Sequence, residues 1–322
     1  MILTVTMNPA YDLTYRLPEL VRGREHRVLS VEQRIGGKGL NVTRVLNQLG
    51  KYSRATGFAD HAFAAAAEQE LPVDFVTVLP WVRRTVVISE SDDATATALR
   101  EPGPRVSEPQ AAVQQLRIRV QGLLPDTRGL VVSGSLPAGV SPAVPADLAR
   151  MALAVDIPVV CDVSGRALEL AAEVPGVVLM TDRDELIALT GADVTTAAEV
   201  ENAVLPLLAA GVRAILVSLG AAGTVLATAA GCWSARLPEP VPGNQAGTGE
   251  AAAAAMISML SETAEPEWPD LLTDAVATAA AALVIPVAGE IDRSVLRRTR
   301  PLVEITGPAA AVGDGSACSA QA

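Results

Sequence analysis

The sequence predicts an α/β fold: a largely parallel sheet with helices on both faces, and a small β flap outside the main alternation. Two observations carry this. From Ser107 onward, short β-rich runs alternate with longer apolar stretches of helical period, the pattern of strands joined by crossover helices. Before that point the alternation is interrupted twice, at 11–35 and 82–100, by hairpin-like runs. Half of the 322 residues are hydrophobic and only 3% aromatic, so the core is mostly Ala, Val and Leu.

Residues 2–7 alternate as a buried first strand ending at Asn8-Pro9. Tyr11 to Leu17 and His26 to Arg34 read as flap strands with a turn near Gly23. Gly36-Gly37-Lys38-Gly39 then opens a helix. Its Leu40, Val42, Val45, Leu46 and Leu49 share one face, and Gly50 closes it. Ser53 to Phe58 and Val73 to Val78 read as strands around an alanine-rich helix at 62–70. In the second interruption, Val86-Val87-Ile88 and Ala94 to Leu99 flank an acidic turn, Ser91-Asp92-Asp93.

The alternation continues as helix 107–121, strand 129–133, helix 142–154, strand 157–162, helix 165–172 and strand 176–180. Helices 182–190 and 196–210, a hairpin at 213–229 and a strand near 232–236 follow. A Pro-rich approach (Pro238, Pro240, Pro242) leads into Gly247-Thr248-Gly249-Glu250 and an alanine run that starts a helix reaching about Leu260. A last apolar helix spans 268–285, and residues 305–322 read as a loose tail. No linker separates independent domains, so 1–304 is expected to be one unit.

Several function classes are disfavoured. A net charge of −11 and a pI near 4.8 argue against nucleic acid or an anionic membrane surface as partner. Three irregularly spaced cysteines and two histidines give neither a disulfide framework nor a zinc site. The start of the chain lacks the basic segment of a signal peptide. Ala214 to Ala235 carries no charge but is broken by Gly220, Gly223 and Gly231, which fits a buried hairpin better than a membrane span. A cytoplasmic protein is the expectation.

Neither of the two lysines, Lys38 and Lys51, is followed by Ser or Thr after a glycine loop, which excludes a P-loop. Gly247-x-Gly249-x-x-Ala252 matches a loose dinucleotide fingerprint, but a proline-rich loop precedes it instead of a strand. Gly247 to Gly249 instead read as a loop that brings backbone N–H groups to a helix N-terminus, where anions such as phosphate are favoured. Glu250 either complements that helix dipole or acts as a base. Gly36-Gly37-Lys38-Gly39 reads either as a plain turn or as a second polar nest, Asn41 as a surface helix residue or one placed to bond a hydroxyl, and Asp12 as a solvated residue or one suited to a sugar diol. Taken singly, each is more often structural.

NPAYD at 8–12, GGKGLNVTRVLNQLG at 36–50, EPGP at 101–104, SGSLPAG at 133–139, VSLGAAG at 217–223 and GTGE at 247–250 occur in that order. Together they resemble the PfkB (ribokinase-like) carbohydrate kinases, most closely the 1-phosphofructokinase and tagatose-6-phosphate kinase branch. The resemblance implies a three-layer α/β/α fold with a β-sheet lid that often doubles as a homodimer contact. It implies transfer of the ATP γ-phosphoryl to a hydroxyl of a sugar or sugar phosphate, with Mg²⁺.

By position, Asp12, Gly37, Lys38 and Asn41 would hold the sugar, and Arg27 and Arg84 a phosphate already on it. Ser218, Gly220, Gly223 and Asn244 would line the nucleotide site. Gly247, Thr248 and Gly249 would form the anion hole, Glu250 would be the base, and Asp182 and Glu185 would serve the metal.

The chain departs from that family in four places. Glu250 replaces the usual Asp, adding one C–C bond of roughly 1.5 Å of reach. Met180-Thr181-Asp182-Arg183-Asp184-Glu185 stands for Lys-Pro-Asn-x-x-Glu. Val86 and Arg100 replace asparagines of close relatives. Two readings follow. The first is an active kinase for a hexose phosphate such as fructose 1-phosphate or tagatose 6-phosphate. The second is a catalytically impaired homologue that binds sugar phosphate or nucleotide in regulation or assembly.

Overall fold

The fold, seen in a computed structural model, is described for residues 1–91 and 95–308. Its first elements are β1 (Ile2–Thr6), β2 (Ala10–Leu17), β3 (Ser30–Gly36), α1 (Lys38–Gln48), β4 (Ser53–Ala59), α2 (His61–Glu68), β5 (Val73–Thr77), β6 (Arg83–Glu90) and β7 (Ala96–Arg100). Next come α3 (Pro109–Leu123), β8 (Gly129–Ser133), α4 (Val144–Leu153), β9 (Val159–Asp162), α5 (Arg166–Ala172), β10 (Val178–Asp182), α6 (Arg183–Thr190) and α7 (Ala197–Ala209). The chain continues through β11 (Ala214–Ser218), β12 (Thr224–Thr228), β13 (Gly231–Arg236), α8 (Thr248–Leu260), α9 (Trp268–Leu283), α10 (Arg293–Thr299) and β14 (Glu304–Thr306).

The main sheet has ten strands in the order β14-β13-β12-β11-β10-β9-β8-β1-β4-β5. From β11 to β5 every pairing is parallel, and β12, β13 and β14 add an antiparallel edge. Its central strands are continuous apolar runs because both faces are covered. Leu3, Val5, Leu130, Val132, Val159 and Leu179 pack against α2 to α7 on one side. Ile2, Val131, Val160, Val178 and Leu216 meet α1, α8, α9 and α10 on the other. This is the expected three-layer α/β/α arrangement. The alanine run 251–255 is wholly buried, and small side chains there let α8 lie close to the sheet and to α1.

The flap is a separate four-stranded sheet, β3-β2-β6-β7, in which β2 and β6 run parallel. Its root is fixed to the body by aromatic packing. Tyr11 of β2 meets Phe63 of α2 edge-on at 5.1 Å between ring centroids, and Phe63 meets Phe75 at 5.9 Å. The flap is amphipathic, as its period-2 register requires. Tyr11, Leu13, Tyr15, Arg84, Val86 and Leu99 share one face, and Asp12, Arg34, Arg83, Thr85 and Arg100 share the other.

Three elements differ from expectation. The second flap strand starts at Ser30 instead of His26, and residues 26–29 join no strand, with the Leu29 N–H on Arg16 O and the His26 ring against the Val21 backbone. Glu304 to Thr306 pair with β13, so the start of the expected tail is an edge strand. The short helix α10, capped by Asp292, was not anticipated. Asp92, Asp93 and Ala94 of the expected acidic turn, and tail residues 309–322, lie outside the described residues. Among the described residues no helix is long and apolar enough to cross a membrane.

Candidate active site

Thr6, Ser133, Asp162, Asp182 and Ser218 all end parallel strands, with Ser133 beside Asp162 and Asp182 beside Ser218 in register. The carboxyl edge of such a sheet is where ligands bind in open α/β folds. Thr6, Ser133 and Asp162 are buried, as is Asn8 just past β1. Thr6 Oγ1, Asn8 Oδ1, Asn41 Oδ1, Ser133 Oγ and Asp162 Oδ2 have no hydrogen-bond partner in the protein. Buried polar groups are normally satisfied, so this concentration marks an edge built to meet a polar ligand.

Lys38, the first residue of α1, crosses this edge and donates from Nζ to Asp162 Oδ1 at 2.8 Å. Gly37, at φ +113°, makes the turn that aims it. Burial alone would lower the Lys38 ammonium. Asp162, Glu250 and Glu185 outweigh that and hold it above the ordinary lysine range. Glu250 is shifted upward, first by burial and then by the charges of Asp162 and Asp12, while Lys38 opposes the shift. Glu185 is also raised, by burial and then by Asp182 and Asp162, against the pull of Lys38. These groups form one electrostatic cluster around Lys38.

Glu250 stands in the first turn of α8, whose N-cap Gly247 is left-handed at φ +90° with no side-chain cap. A Cβ on Gly247 would lie 2.9 Å from Ala288 Cα, so glycine is required there twice over. The Thr248 N–H turns back to Gln245 O at 3.3 Å, which removes it from the expected set of anion donors. The first-turn N–H groups of Gly249 and Glu250 remain, that of Glu250 against its own carboxylate. The space beside Gly249 is open.

On the flap, Asp12 is half-buried and accepts from Asn41 Nδ2 at 3.3 Å. Burial raises its carboxyl, while Asn41, Arg44, Arg83 and the Gly37 N–H pull the other way. Gly36 must lack a side chain, because a Cβ there would sit 2.0 Å from Asp12 Oδ2. The structure thus gathers Asp12, Gly37, Lys38, Asn41 and Glu250. Arg27 lies apart, exposed between β2 and β3 with no ion pair among the described residues. Arg84 pairs with Tyr11 in register and takes the apolar face, away from Asp12.

Ser218, Gly220 and Gly223 lie together in the tight turn from β11 to β12. Gly220 and Gly223 have positive φ, and a Cβ on Gly223 would strike Ala235 O at 2.5 Å. Asn244 is used differently from expectation. Its Oδ1 accepts from Ala246 N at 3.0 Å and its Nδ2 donates to Pro286 O at 3.0 Å, so the side chain braces the loop.

Asp182 and Glu185 are also committed locally. Asp182 Oδ1 accepts from Glu185 N at 2.8 Å, and Glu185 Oε2 accepts from Asp182 N at 3.2 Å, a reciprocal capping box for α6. Among the described residues no three His, Cys, Asp or Glu converge on a metal position. A protein cage is not what Mg²⁺ needs, since it is usually held by one or two carboxylates plus substrate phosphates. The unpartnered Oδ2 of Asp162 and the spare Glu185 oxygen fit that donor set.

Asp162, Arg83 and the 285–291 segment were missed from sequence. The available signal for Asp162 was its place after the buried run Val159-Val160-Cys161, at a parallel strand's carboxyl end. Arg83 shares the Asp12 face, donating to Asn8 O at 3.3 Å and Glu101 O at 3.1 Å. Strand alternation from Asp12 would have separated it from Arg84.

Residues 5–292 match the model of the pfkB family carbohydrate kinases. Tagatose-6-phosphate kinase from Staphylococcus epidermidis is 30% identical over 268 residues, covering 81% of this chain and 85% of that one. Among solved structures, a possible 1-phosphofructokinase from Thermotoga maritima superposes with a TM-score of 0.83 at 24% identity, covering 95% of this chain and 99% of that one. Phosphofructokinase-2 from Escherichia coli gives a TM-score of 0.82 at 24% identity, covering 93% and 98%. These two likenesses establish the ribokinase-like architecture, and the family match with its 30%-identical relative establishes more: the chain belongs to the pfkB family of carbohydrate kinases.

Proposed function

We propose that this carbohydrate kinase transfers the γ-phosphoryl group of ATP to a hydroxyl of a hexose phosphate, such as tagatose 6-phosphate or fructose 1-phosphate, with Glu250 as the base. One observation carries the reading: the Lys38 ammonium donates to Asp162 and lies within the field of Glu250, which stands in the first turn of α8. A transferring phosphoryl group needs a fixed cation, backbone donors and an adjacent proton acceptor, and those groups are assembled there.

In this reading Asp12 accepts hydrogen bonds from the sugar hydroxyls, held by Asn41, and the lid excludes water above them. Glu250 takes the proton from the attacking hydroxyl as the new O–P bond forms and the bond from the γ-phosphorus to the bridging oxygen breaks, releasing ADP. Lys38 and the N–H groups of Gly249 and Glu250 offset the charge on the phosphoryl oxygens. Ser218, Gly220 and Gly223 line the adenosine side. Asp162 and Glu185 would hold Mg²⁺, which supplies charge neutralisation of the triphosphate. Arg83 and Arg100, on the Asp12 face of the lid, replace Arg27 and Arg84 as partners of the substrate phosphate.

The apolar lid face, with Val31 and Leu99 exposed, supports a homodimer formed through the lid, and the acidic chain fits a cytoplasmic setting. The test is a screen of sugars and sugar phosphates for ATP consumption with Mg²⁺. Turnover confined to hexose phosphates supports the proposal. Binding of hexose phosphate with no turnover, in wild type and Glu250→Asp alike, leaves the impaired-homologue reading standing instead.

A further inference from the structure

Residues 283–291, which lead from the end of α9 to α10, touch both halves of the site. Toward α8, Leu283 O accepts from Asn244 N at 2.8 Å, Pro286 O accepts from Asn244 Nδ2 at 3.0 Å, and Ala288 packs against Gly247. Toward the sugar side, Gly289 packs against Asn41. Its φ is +82°, and a Cβ there would fall 2.8 Å from Asn41 Oδ1. Asn41 in turn holds Asp12. Three packed steps therefore join the α8 N-cap to the lid carboxylate: Gly247 to Ala288-Gly289, Gly289 to Asn41, and Asn41 to Asp12.

This segment is pinned from outside the site. Gln48 donates from Nε2 to Gly289 O at 3.0 Å and accepts from Ile291 N at 3.1 Å, so one side chain clamps both flanks of Glu290. Gln48 follows Asn41 by two helical turns of α1, which puts both on one face toward the segment. Glu290 forms an ion pair with Arg34 of β3, the lid strand that pairs with β2. Gln48 belongs to no part of the candidate catalytic or binding machinery.

We infer that residues 285–291 act as a rigid strap that couples the lid carboxylate Asp12 to the phosphoryl site at Gly247, with Gln48 and Glu290 as positioning residues. The kinetic consequence rests on the kinase reading above; the mechanical one does not. A strap locked to both sides lets the sugar-side geometry set the position of the α8 N-terminus. Misplacement of a reacting group by about 1 Å costs on the order of 100-fold in rate.

The test compares full-length wild type, Gln48→Met, Glu290→Ala and the double variant Arg34→Glu with Glu290→Arg by amide hydrogen exchange. Gln48→Met keeps length and apolar stem but removes both clamping hydrogen bonds. In Gln48→Met, exchange of the amides of 247–251 is expected to accelerate about fivefold, the low end of ordinary coupling between sites, although Gln48 touches none of them. Glu290→Ala is expected to act in the same direction more weakly, because a half-exposed ion pair is worth little, and the charge-swapped pair is expected to restore protection.

Acceleration confined to 285–292 and the end of α1 would overturn the coupling. With hexose phosphate and ATP, Gln48→Met is expected to lower kcat about fivefold with both KM values within about twofold; a pure rise in either KM would overturn it as well. If wild type turns over no sugar phosphate, the kinase reading fails by itself, and the exchange result still decides the coupling.

Discussion

Asp162 Oδ1 accepts from Lys38 Nζ at 2.8 Å while its second oxygen, Oδ2, is buried with no partner. The pair is therefore half-used: one oxygen orients the lysine and the other faces the carboxyl edge of the sheet. Because Lys38 also acts on Glu250, the ammonium and the Asp162 carboxylate pull the base in opposite ways. Lys38 favours the ionised base and Asp162 disfavours it.

That opposition predicts a pH profile. Glu250 must be ionised to accept a proton, and its pKa is raised, so the acid limb of kcat lies above the ordinary carboxylate value of about 4.3. Lys38→Met removes a lowering influence and moves the limb further up. Asp162→Asn removes a raising one and moves it down. Profiles shifted in the same direction by both substitutions would contradict this arrangement.

Glu250→Gln trades activity for stability. Loss of the base lowers kcat by about 10²- to 10⁴-fold. A carboxyl raised in the folded state adds stability that is complete below its unfolded pKa and is lost as pH rises through the folded one. At neutral pH the ionised Glu250 is thus a burden, and the amide raises Tm there. Around pH 4 the difference in Tm between the two proteins shrinks.

Glu250→Asp shortens the proposed acceptor by one methylene. It preserves or raises ATP-dependent phosphorylation of the hexose phosphate, measured as kcat/KM. A loss of more than about tenfold would mean that the site has closed around the longer side chain.

The two flap arginines are separated by face. Arg83→Ala weakens hexose-phosphate binding by about 10- to 100-fold, the scale of one charge-assisted hydrogen bond, and Arg84→Ala leaves it within about twofold. Lys38→Ala, which removes the cation set against the phosphoryl oxygens, weakens ATP at least as much as sugar phosphate. Isothermal titration against each ligand separates these outcomes.

The parts of the fold that rest on long-range repetition were legible in the sequence. The strand–helix alternation after Ser107, the apolar face of α1 and the glycine-led start of α8 all carry strong local patterns. Elements fixed by tertiary pairing were less so: β14 has three residues and needs β13 beside it, and residues 26–29 are β-rich yet find no partner strand. Asp12, Lys38, Asn41 and Glu250, which the structure brings near one another, were singled out because each belongs to a motif with its own chemistry. Asp162 was not, since a single Asp after an apolar strand reads equally as a turn residue. Asp182 and Glu185 illustrate a competition. The same Asp-x-x-Glu spacing spells a capping box and a metal pair, and the backbone claims most of that capacity. Asn244, Arg27 and Arg84 were assigned by position in a motif, and the local register or hydrogen bonding directs them elsewhere.

Phe63 is fully buried between Tyr11 and Phe75. Phe63→Ala costs about 3–5 kcal/mol of stability, read from chemical denaturation.

The same aromatic stack determines how the lid can move. Tyr11 is adjacent to Asp12, so the anchored root of the flap lies one residue from its carboxylate. A lever pivoting there displaces its far tip most and its pivot least. Any rotation of the flap about that point would leave Asp12 nearly stationary and carry the span from Pro18 to Leu29, at the other end of β2 and β3, through the larger arc. In the proposed kinase a substrate would then meet a carboxylate already in place, with entry and release left to the outer rim.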